Sequence, residues 1–406
     1  MSLVRERVLP PAVAGPAAWE GLAAKQQPYW RAHPAYLRTR AQLAVAPALV
    51  SLPELDTVRH ELASVAAGEG FLLQAGDCAE SLAECTPAAV AAKLAVLHHL
   101  ADAFMACGGG PVARVGRIGG QFAKPRSQSV ERHRDQELPA FRGHMVNSEL
   151  PTLTAREHDP ERMLCAYQAA VQVHRALAED RGRRAAAGLA RTGSGAWSSH
   201  EALVIDYEGS AVRTDPATGA SFLSSTHLPW LGERTRQPRS AHVRLLSSVR
   251  NPVGCKLGPS AGAAEVIRLG ELLDPGRLPG RLVLIVRMGA AHIAEALPPV
   301  VAAVRQAGHP VVWVSDPMHG NTVRSRIGLK TRHLPDMIAE VRAFRSILTR
   351  LGEHPAGLHL EVAVSDVTEC VGGPVREHML SHHYTTLCDP RLNPEQAHEL
   401  LFRAWT

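Results

Sequence analysis

Aromatic residues make up only 4% of this 406-residue chain, and its seven cysteines are scattered without one CxxC pair. An odd, dispersed set of cysteines does not match a secretory disulfide framework. The first residues carry charge in place of an apolar signal core, and no run of about 18 apolar residues predicts a membrane span. We therefore expect a cytoplasmic protein with free thiols and no membrane partner.

The chain also lacks a dense run of lysine and arginine, and its net charge of +5 is modest for its length. This charge favours anionic small molecules as ligands, and we expect no nucleic-acid partner. The segment 116–121 (GRIGGQ) does not have the GxGxxG spacing of a dinucleotide site, which argues against a Rossmann fold.

The stretch 114–127 (RVGRIGGQFAKPRS) mixes glycines with cationic side chains. Its four cations are Arg114, Arg117, Lys124 and Arg126. Glycines let a backbone approach a ligand closely, and the guanidinium fork matches phosphate and carboxylate groups. The apolar run before the stretch predicts a strand whose end opens onto an anion site; the alternative is a solvated basic loop.

Two regions of different composition divide the chain. Residues 1–68 are rich in proline and aromatic residues at first, and they predict an extended arm followed by a helix near 53–67. Residues 69–406 are predicted to form one catalytic barrel. Arms of this kind commonly wrap the body of the protein or a partner subunit, and we expect a homodimer.

From residue 70 the pattern alternates between apolar strands and amphipathic helices. The predicted strands are 71–78, 111–117, 194–202, 251–257, 281–287, 310–316, 357–362 and 384–389. Thr86 and Asn393 are predicted to cap the first and last helices of this series. Eight such strands predict an α/β fold, a (β/α)8 TIM barrel with an N-terminal extension, and a doubly wound sheet is the alternative.

Functional residues of such barrels lie at the carboxyl ends of the strands. Four residues at or just after different predicted strands are competent metal ligands: Cys78, His319, Glu361 and Asp389. Their mixed sulfur, nitrogen and oxygen atoms suit a borderline divalent cation such as Mn²⁺, Co²⁺, Fe²⁺ or Zn²⁺. Each residue alone has an ordinary structural interpretation, and spacing by itself does not select these four.

A second set of residues at the strand ends and loops is cationic: Arg117, Lys124, Arg126, Arg234, Lys256, Arg287 and Lys330. Arg287 closes the apolar run 282–286, where a charge entering the barrel mouth is costly unless it is paired. A mouth with this many cations predicts a substrate with several negative charges, most simply phosphates.

Nine segments, in order, resemble those of the class II (plant-type) 3-deoxy-D-arabino-heptulosonate 7-phosphate (DAHP) synthases. They are 74–80 (QAGDCAE), 114–127, 230–237 (WLGERTRQ), 251–259 (NPVGCKLGP), 316–322 (DPMHGNT), 330–332 (KTR), 357–361 (GLHLE), 367–370 (VTEC) and 388–393 (CDPRLN). Single segments are moderately specific, and together they are very specific. The resemblance implies a TIM barrel that condenses phosphoenolpyruvate with erythrose 4-phosphate, at the entry to the shikimate pathway.

The resemblance also assigns residues. It implies that a divalent metal, Mn²⁺ or Co²⁺, is held by Cys78, His319, Glu361 and Asp389. It implies that phosphoenolpyruvate contacts Arg117, Glu233, Arg234, Lys256 and Arg287. It places erythrose 4-phosphate on the turn formed by Lys124, Pro125, Arg126 and Ser127. Lys124 is then the expected donor to the aldehyde oxygen, and Glu233 the expected partner of the attacking water.

One segment departs from the family. Its Arg-Gly-Asp reads 142–144 (RGH) here, with His144 in place of the acid. This change is expected to affect affinity for erythrose 4-phosphate or the choice of substrate. One alternative function is therefore a related synthase that uses phosphoenolpyruvate with a different aldose phosphate, and another is a non-catalytic relative that binds phosphorylated ligands.

Two regulatory expectations follow from the same segments. Cys78 and Cys388 flank the expected metal site, and oxidation could join them if their Cα atoms lie within about 7 Å. Longer relatives carry extra helices between barrel strands two and three, whereas residues 127–198 here predict one clear helix near 160–180. We expect a short-form synthase that is insensitive to aromatic amino acids and supplies a secondary pathway.

Overall fold

The structure, a computed structural model, describes residues 18–133, 136–189 and 195–405. Its strands are β1 (Phe71–Gly76), β2 (Val112–Arg117), β3 (Val130–His133), β4 (Gln136–Pro139), β5 (Ala196–Glu201), β6 (Val212–Thr214), β7 (Ser221–Leu223), β8 (Leu228–Leu231), β9 (Val253–Leu257), β10 (Leu282–Val286), β11 (Val312–Ser315), β12 (Val323–Arg324), β13 (Lys330–Thr331) and β14 (Pro355–Glu361). Strands β1, β2, β5, β8, β9, β10, β11 and β14 close into one parallel barrel. The other described strands pair as small antiparallel hairpins, β3–β4, β6–β7 and β12–β13.

The helices of the described chain surround this barrel and precede it. They are α1 (Tyr36–Val45), α2 (Leu52–Ala66), α3 (Pro87–Gly108), α4 (Leu153–Arg156), α5 (Arg162–Ala186), α6 (Ile205–Ser210), α7 (Ala241–Ser247), α8 (Ala263–Leu273), α9 (Ile293–Ala307), α10 (Leu334–Arg350) and α11 (Pro394–Trp405). The predicted caps are present, because Thr86 accepts a hydrogen bond from the Ala89 amide and Asn393 accepts one from the Gln396 amide.

Closure of the sheet confirms the barrel and excludes the doubly wound alternative. Seven predicted strands are barrel strands, although the predicted start at Ser194 and the first 17 residues of the predicted arm lie outside the described residues. The eighth prediction is wrong: residues 384–389 form a loop, and the missing strand is β8. Strand β8 is only four residues long and contains Pro229, whose missing N–H argues against a central strand.

The two ends of the barrel differ in polarity. Helix α2 packs its residues Val58, Leu62 and Val65 against apolar side chains from the early positions of the strands, among them Leu72 and Val283. This apolar plug fills the amino-terminal end. The cluster of buried carboxylates and cations lies at the opposite, carboxyl end, where functional groups of such barrels lie.

One helix of the described chain, α3, is long and apolar enough to cross a membrane by length and composition. Its residues Leu97, Leu100 and Phe104 are buried in the main core cluster. The helix contacts β1, β2, α5 and α11. In this structure α3 is therefore the barrel helix that follows β1.

The described part of the N-terminal arm lies on the barrel of its own chain. Asp206, which is buried on α6, accepts hydrogen bonds from Trp30 Nε1 at 2.9 Å and from the Tyr36 hydroxyl at 2.8 Å. Gln26 reaches the mouth and accepts a hydrogen bond from the Arg126 amide. The division of the chain at residue 68 and the homodimer stay predictions.

Buried neutral histidines predict a loss of stability in acid. Burial lowers the pKa of His174 to about 3 and that of His242 to about 4, from 6.5. Below pH 6.5 the unfolded chain takes up protons that the folded chain cannot hold, so stability falls as the pH falls. Between pH 7 and 5 we expect His174→Gln and His242→Gln each to remove about 2 kcal/mol of this pH dependence, measured by urea unfolding.

The control for this experiment is His60→Gln, on the exposed face of α2, which shows the effect of the substitution itself at a position outside the core. An identical pH dependence in the wild type and in both buried-site variants contradicts the prediction.

Candidate active site

Glu361 is the centre of the polar cluster at the carboxyl end of the barrel. It ends β14 and is fully buried. One carboxylate oxygen lies 2.9 Å from Arg117 Nη2, 3.1 Å from His319 Nε2 and 3.5 Å from Lys124 Nζ. The other lies 2.9 Å from Arg332 Nη1, outside hydrogen-bond geometry. Burial opposes the charge, but His319, Lys124, Arg332 and Arg117 hold the pKa of Glu361 well below its ordinary value.

His319 is oriented by a second buried carboxylate. Its Nδ1 lies 2.8 Å from Asp316, so a proton on Nδ1 is donated to Asp316 and Nε2 is left facing Glu361. Histidines that bind metals are commonly held in this way, by a carboxylate on the other ring nitrogen. Lys256 donates to the same Asp316 at 2.8 Å. Burial lowers the pKa of Lys256 to about 8, although Asp316 opposes that shift.

Cys78 and Asp389 meet on the other side of the cluster. The Asp389 amide donates to Cys78 Sγ at 3.5 Å. Asp389 lies 3.7 Å from Lys124 Nζ and 2.8 Å from Lys330 Nζ. Burial, and then the Glu361 charge, raises the pKa of the Cys78 thiol. Asp389 reaches the mouth without a strand of its own because Leu392 pairs with the continuation of β14 at Val362.

The four predicted metal ligands therefore lie at one mouth as two contacting pairs, with Lys124 between the two carboxylates. Within the described ranges, no three His, Cys, Asp or Glu side chains converge as a ready-made metal cage. The donor chemistry still fits a divalent ion, because His319 Nε2 faces the Glu361 carboxylate at 3.1 Å while Asp316 holds its Nδ1. The ligand set stays a prediction.

A chain of buried polar groups inside the barrel supports Arg117. Its guanidinium hydrogen-bonds the His359 ring and the Asp77 carbonyl. His359 is bonded in turn to Gln74 at 2.7 Å, and Gln74 donates to Ser199 at 2.9 Å. Burial holds the pKa of His359 well below its ordinary value, so the neutral ring accepts from Arg117. The orientation of Arg117 is thus fixed by three neighbouring strands.

The remaining predicted substrate residues form a second group at the rim. The exposed Arg234 donates to the Ser127 hydroxyl at 2.6 Å, and Arg126 pairs with Glu131 at 2.9 Å. Arg287 donates to the His319 carbonyl at 2.6 Å, which joins the rim to the central cluster. Glu233 accepts from Arg236 and from the Gly258 amide.

The glycine-rich loop after β2 already holds an anion of the chain itself. The buried Glu80 carboxylate accepts the amides of Gly119, Gly120 and Gln121 at 2.8 to 3.0 Å. Gly120 is required by a close approach, because a Cβ there would lie 2.0 Å from His200 Nδ1. Three cations of the stretch, Arg117, Lys124 and Arg126, therefore face the mouth, whereas Arg114 lies outside it and pairs with Asp102 on α3 at 2.6 Å.

His144 does not point a free ring at the mouth. Its Nδ1 accepts the Leu82 amide at 3.1 Å, and its Nε2 lies 2.6 Å from Glu149. The residue links the loop after β1 to the loop before α4. Any effect on aldose choice would have to act through these loops.

Four residues of this mouth were not assigned a role from the sequence: Glu201, Asp316, Arg332 and His359. Asp316 and Glu201 ended predicted strands, and Arg332 stood in a quoted segment, so each carried a positional signal. Glu201 is enclosed, its Oε1 has no hydrogen-bond partner in the described chain, and burial raises its pKa against the charges of Lys256 and Lys124. His359 lay inside a predicted strand and, like Arg332, in one of the family-like segments, 357–361.

A parallel barrel with a buried cluster of carboxylates and cations at its carboxyl mouth is the arrangement of an α/β-barrel enzyme. The chain belongs to the class-II DAHP synthetase family, whose model matches residues 14–191 and 179–404.

Relatives of known name agree with this assignment. A probable phospho-2-dehydro-3-deoxyheptonate aldolase of Pseudomonas fluorescens is 47% identical over 377 residues and covers 92% of each chain. A phospho-2-dehydro-3-deoxyheptonate aldolase of Streptomyces coelicolor is 40% identical over 428 residues and covers 95% of each. The solved structure of the Francisella tularensis phospho-2-dehydro-3-deoxyheptonate aldolase superposes with a TM-score of 0.55 at 12% identity, over 90% of this chain and 95% of that one. This structural likeness shows the fold alone.

Removing the charge of Glu361 is expected to destabilise the protein strongly. Glu361→Gln leaves Arg117, Arg332 and Lys124 buried without their shared counter-charge, and breaking a buried ion pair costs about 3–5 kcal/mol. Chemical denaturation measures this loss. Glu399→Gln is the control, because Glu399 pairs with Arg403 at the surface and such pairs contribute about 0–1 kcal/mol. Equal losses in the two variants would contradict the central role of Glu361.

Proposed function

We propose that this chain condenses phosphoenolpyruvate with D-erythrose 4-phosphate and water, giving 3-deoxy-D-arabino-heptulosonate 7-phosphate and phosphate. This is the first step of the shikimate pathway. The observation that carries the proposal is the Glu361 cluster: a buried carboxylate that gathers Arg117, Arg332, Lys124 and His319 at the mouth of a class-II DAHP synthetase barrel. These are groups that bind and polarise phosphorylated substrates.

The substrate sites follow from the two groups at the mouth. Arg117, Lys256, Arg287 and Arg234 hold the phosphate and carboxylate of phosphoenolpyruvate by charge-assisted hydrogen bonds. Lys124, Arg126 and Ser127 hold erythrose 4-phosphate. The Arg234–Ser127 hydrogen bond of 2.6 Å joins the two sets, so the bound substrates are neighbours.

The reaction then needs two proton movements that side chains of this mouth can assist. Carbon 3 of phosphoenolpyruvate bonds to the aldehyde carbon, and Lys124 donates a proton to the aldehyde oxygen. Water adds to the cationic carbon 2 and gives up one proton. The resulting hemiketal phosphate then collapses to the ketone: the bond from carbon 2 to the phosphate oxygen breaks, and the hydroxyl proton leaves with inorganic phosphate. Glu233 and Glu201 are the two carboxylates available to the water proton. Glu233 must first release a donor, whereas Glu201 has a carboxylate oxygen without a hydrogen bond.

A divalent ion fits the same mouth. Cys78, His319, Glu361 and Asp389 would hold it, and when bound a Mn²⁺ or Co²⁺ ion would supply Lewis-acid polarisation of the aldehyde oxygen. Lys124 lies beside two of these residues, which suits a proton donor to that oxygen. The cytoplasmic location stays a prediction.

The proposal is tested by assaying the purified chain with phosphoenolpyruvate and a panel of aldose phosphates. We expect erythrose 4-phosphate to be preferred, with kcat/KM at least about tenfold above the other aldoses. Release of phosphate and the mass of the product are the readouts. Preference for another aldose phosphate would assign the chain to the related synthases, and His144→Asp tests whether that residue sets the choice. No turnover with any aldose would favour the non-catalytic binding role.

Metal dependence has a direct test. Chelation is expected to abolish activity and added Mn²⁺ or Co²⁺ to restore it, and Cys78→Ser is expected to raise the metal concentration for half-activation more than about tenfold, since an alcohol replaces a thiolate poorly. Cys165→Ser, at an exposed cysteine, is the matched control and leaves activation unchanged. Full activity in excess chelator would refute the metal site.

We also propose that this is a short-form enzyme without an aromatic effector site, feeding a secondary pathway. Between β4 and β5 the described residues form α4, of one turn, and α5. The two segments that match the family model overlap at residues 179–191. This overlap contains the end of α5, at Ala186. The alignment with the Streptomyces coelicolor relative spans 428 positions, which is more than the 406 residues of this chain. The relative therefore has residues at positions where this chain has none.

Steady-state rates with phenylalanine, tyrosine and tryptophan test this subtype. At about 1 mM of each, singly and combined, we expect the rate to stay above about half of its uninhibited value, because a ligand shifts a protein only through differential contacts. Saturable inhibition beyond that level would reveal an effector site and contradict the proposal.

A further inference from the structure

Glu340 is a fully buried carboxylate that the proposed chemistry does not use. It lies on α10, outside the barrel. Its Oε1 accepts the Met288 amide at 2.9 Å and the Gly289 amide at 2.8 Å, and its Oε2 accepts Asn321 Nδ2 at 2.6 Å. One side chain therefore holds the loop after β10 and the loop after β11 together.

Asn321 completes this connection. Its Oδ1 accepts the Ala290 amide at 3.0 Å, and its Nδ2 also donates to the Pro317 carbonyl at 2.8 Å. Three consecutive amides, from Met288 to Ala290, are thus bound by the Glu340–Asn321 pair. The bond from Asn321 to the Pro317 carbonyl also joins the two ends of the 317–321 turn.

The two loops touch through their backbones at two glycines. A Cβ on Gly320 would lie 2.2 Å from the Gly289 nitrogen, and a Cβ on Gly289 would lie 2.8 Å from the Gly320 oxygen. Met288 directly follows Arg287, and Asn321 is two residues after His319. Arg287 itself donates to the His319 carbonyl at 2.6 Å. Any shift between these loops moves a proposed phosphate ligand relative to a proposed metal ligand.

We propose that Glu340 is a positioning residue that fixes the separation of Arg287 and His319, and with it the relative placement of phosphoenolpyruvate and the metal. The inference rests on the proposed function. Its chemical basis is that a carboxylate accepts hydrogen bonds at both oxygens, whereas glutamine would turn an NH₂ group toward the donors. Burial raises the pKa of Glu340 to about 7, and the hydrogen bonds from Gly289, Asn321 and Met288 oppose that shift because they favour the charged carboxylate.

The test compares Glu340→Gln and Asn321→Ala with Asp206→Asn. Asp206 is also a buried carboxylate and has two neutral donors, but it joins the N-terminal arm to α6. All three variants are expected to unfold at lower temperature than the wild type. Only the first two should bind Mn²⁺ more weakly, by about tenfold in calorimetry, the low end of the loss seen when a direct partner of a metal ligand is removed, because they act on His319 through the loop backbone. The same two should show a raised KM for phosphoenolpyruvate.

The double variant Glu340→Gln, Asn321→Ala should weaken Mn²⁺ binding less than the product of the two single effects, because the pair acts as one unit. If Glu340→Gln and Asn321→Ala match Asp206→Asn in Mn²⁺ affinity and in KM, the positioning role is overturned. Should Glu340→Gln fail to fold, Asn321→Ala alone decides. Lack of condensation by the wild type would refute the proposed function instead, while the calorimetric comparison still reports on Glu340.

Discussion

The buried carboxylate of Glu361 is the constraint on which the rest of the mouth depends. Without it, Arg117, Arg332 and Lys124 would be cations enclosed by protein with too little negative charge, and each such charge is costly. With it, each cation has a fixed place. The closed barrel supplies the enclosure, and α2 covers its other end with apolar side chains. Closure of the barrel therefore provides the enclosed mouth in which the Glu361 carboxylate holds these cations.

Other buried carboxylates also bind hydrogen-bond donors, at positions further from the Glu361 cluster. Glu80 holds the glycine loop after β2, and Glu340 holds the loops after β10 and β11. Glu369 holds Arg391, close to the Asp389 segment, at 2.9 Å. Each of these carboxylates takes the place of water at backbone amides or at a guanidinium. These hydrogen bonds fix the loops around the mouth, which have no continuous apolar core of their own. A mouth built from loops can then present side chains at fixed distances.

Much of this architecture was predictable from the chain. Local apolar runs predicted seven of the barrel strands. The residues at the ends of these strands include most of the side chains that lie at the mouth. Strand β8 was missed because it is short and holds Pro229, and its pairing with β5 and β9 supplies what its own sequence does not. The 384–389 segment reads as a strand, yet polar bonds such as that from Tyr384 to the Lys330 carbonyl hold it as a loop.

The contacts were less predictable than the positions, because they join residues far apart in the chain. No sequence pattern around Glu80 predicts that it binds the amides of residues 119–121. Likewise, no pattern around Glu340 predicts that it accepts a hydrogen bond from the Met288 amide. The role of His144 likewise depends on Leu82 and Glu149, which only the fold brings to its ring.

The most direct test of the account is a calorimetric titration of the metal-stripped protein with Mn²⁺. The wild type is expected to bind about one ion per chain, and Glu361→Gln to bind none in the same concentration range, since the ion and the cations share that one carboxylate. The surface variant Glu399→Gln should bind as the wild type does. Equal Mn²⁺ binding by Glu361→Gln and the wild type would contradict the central claim.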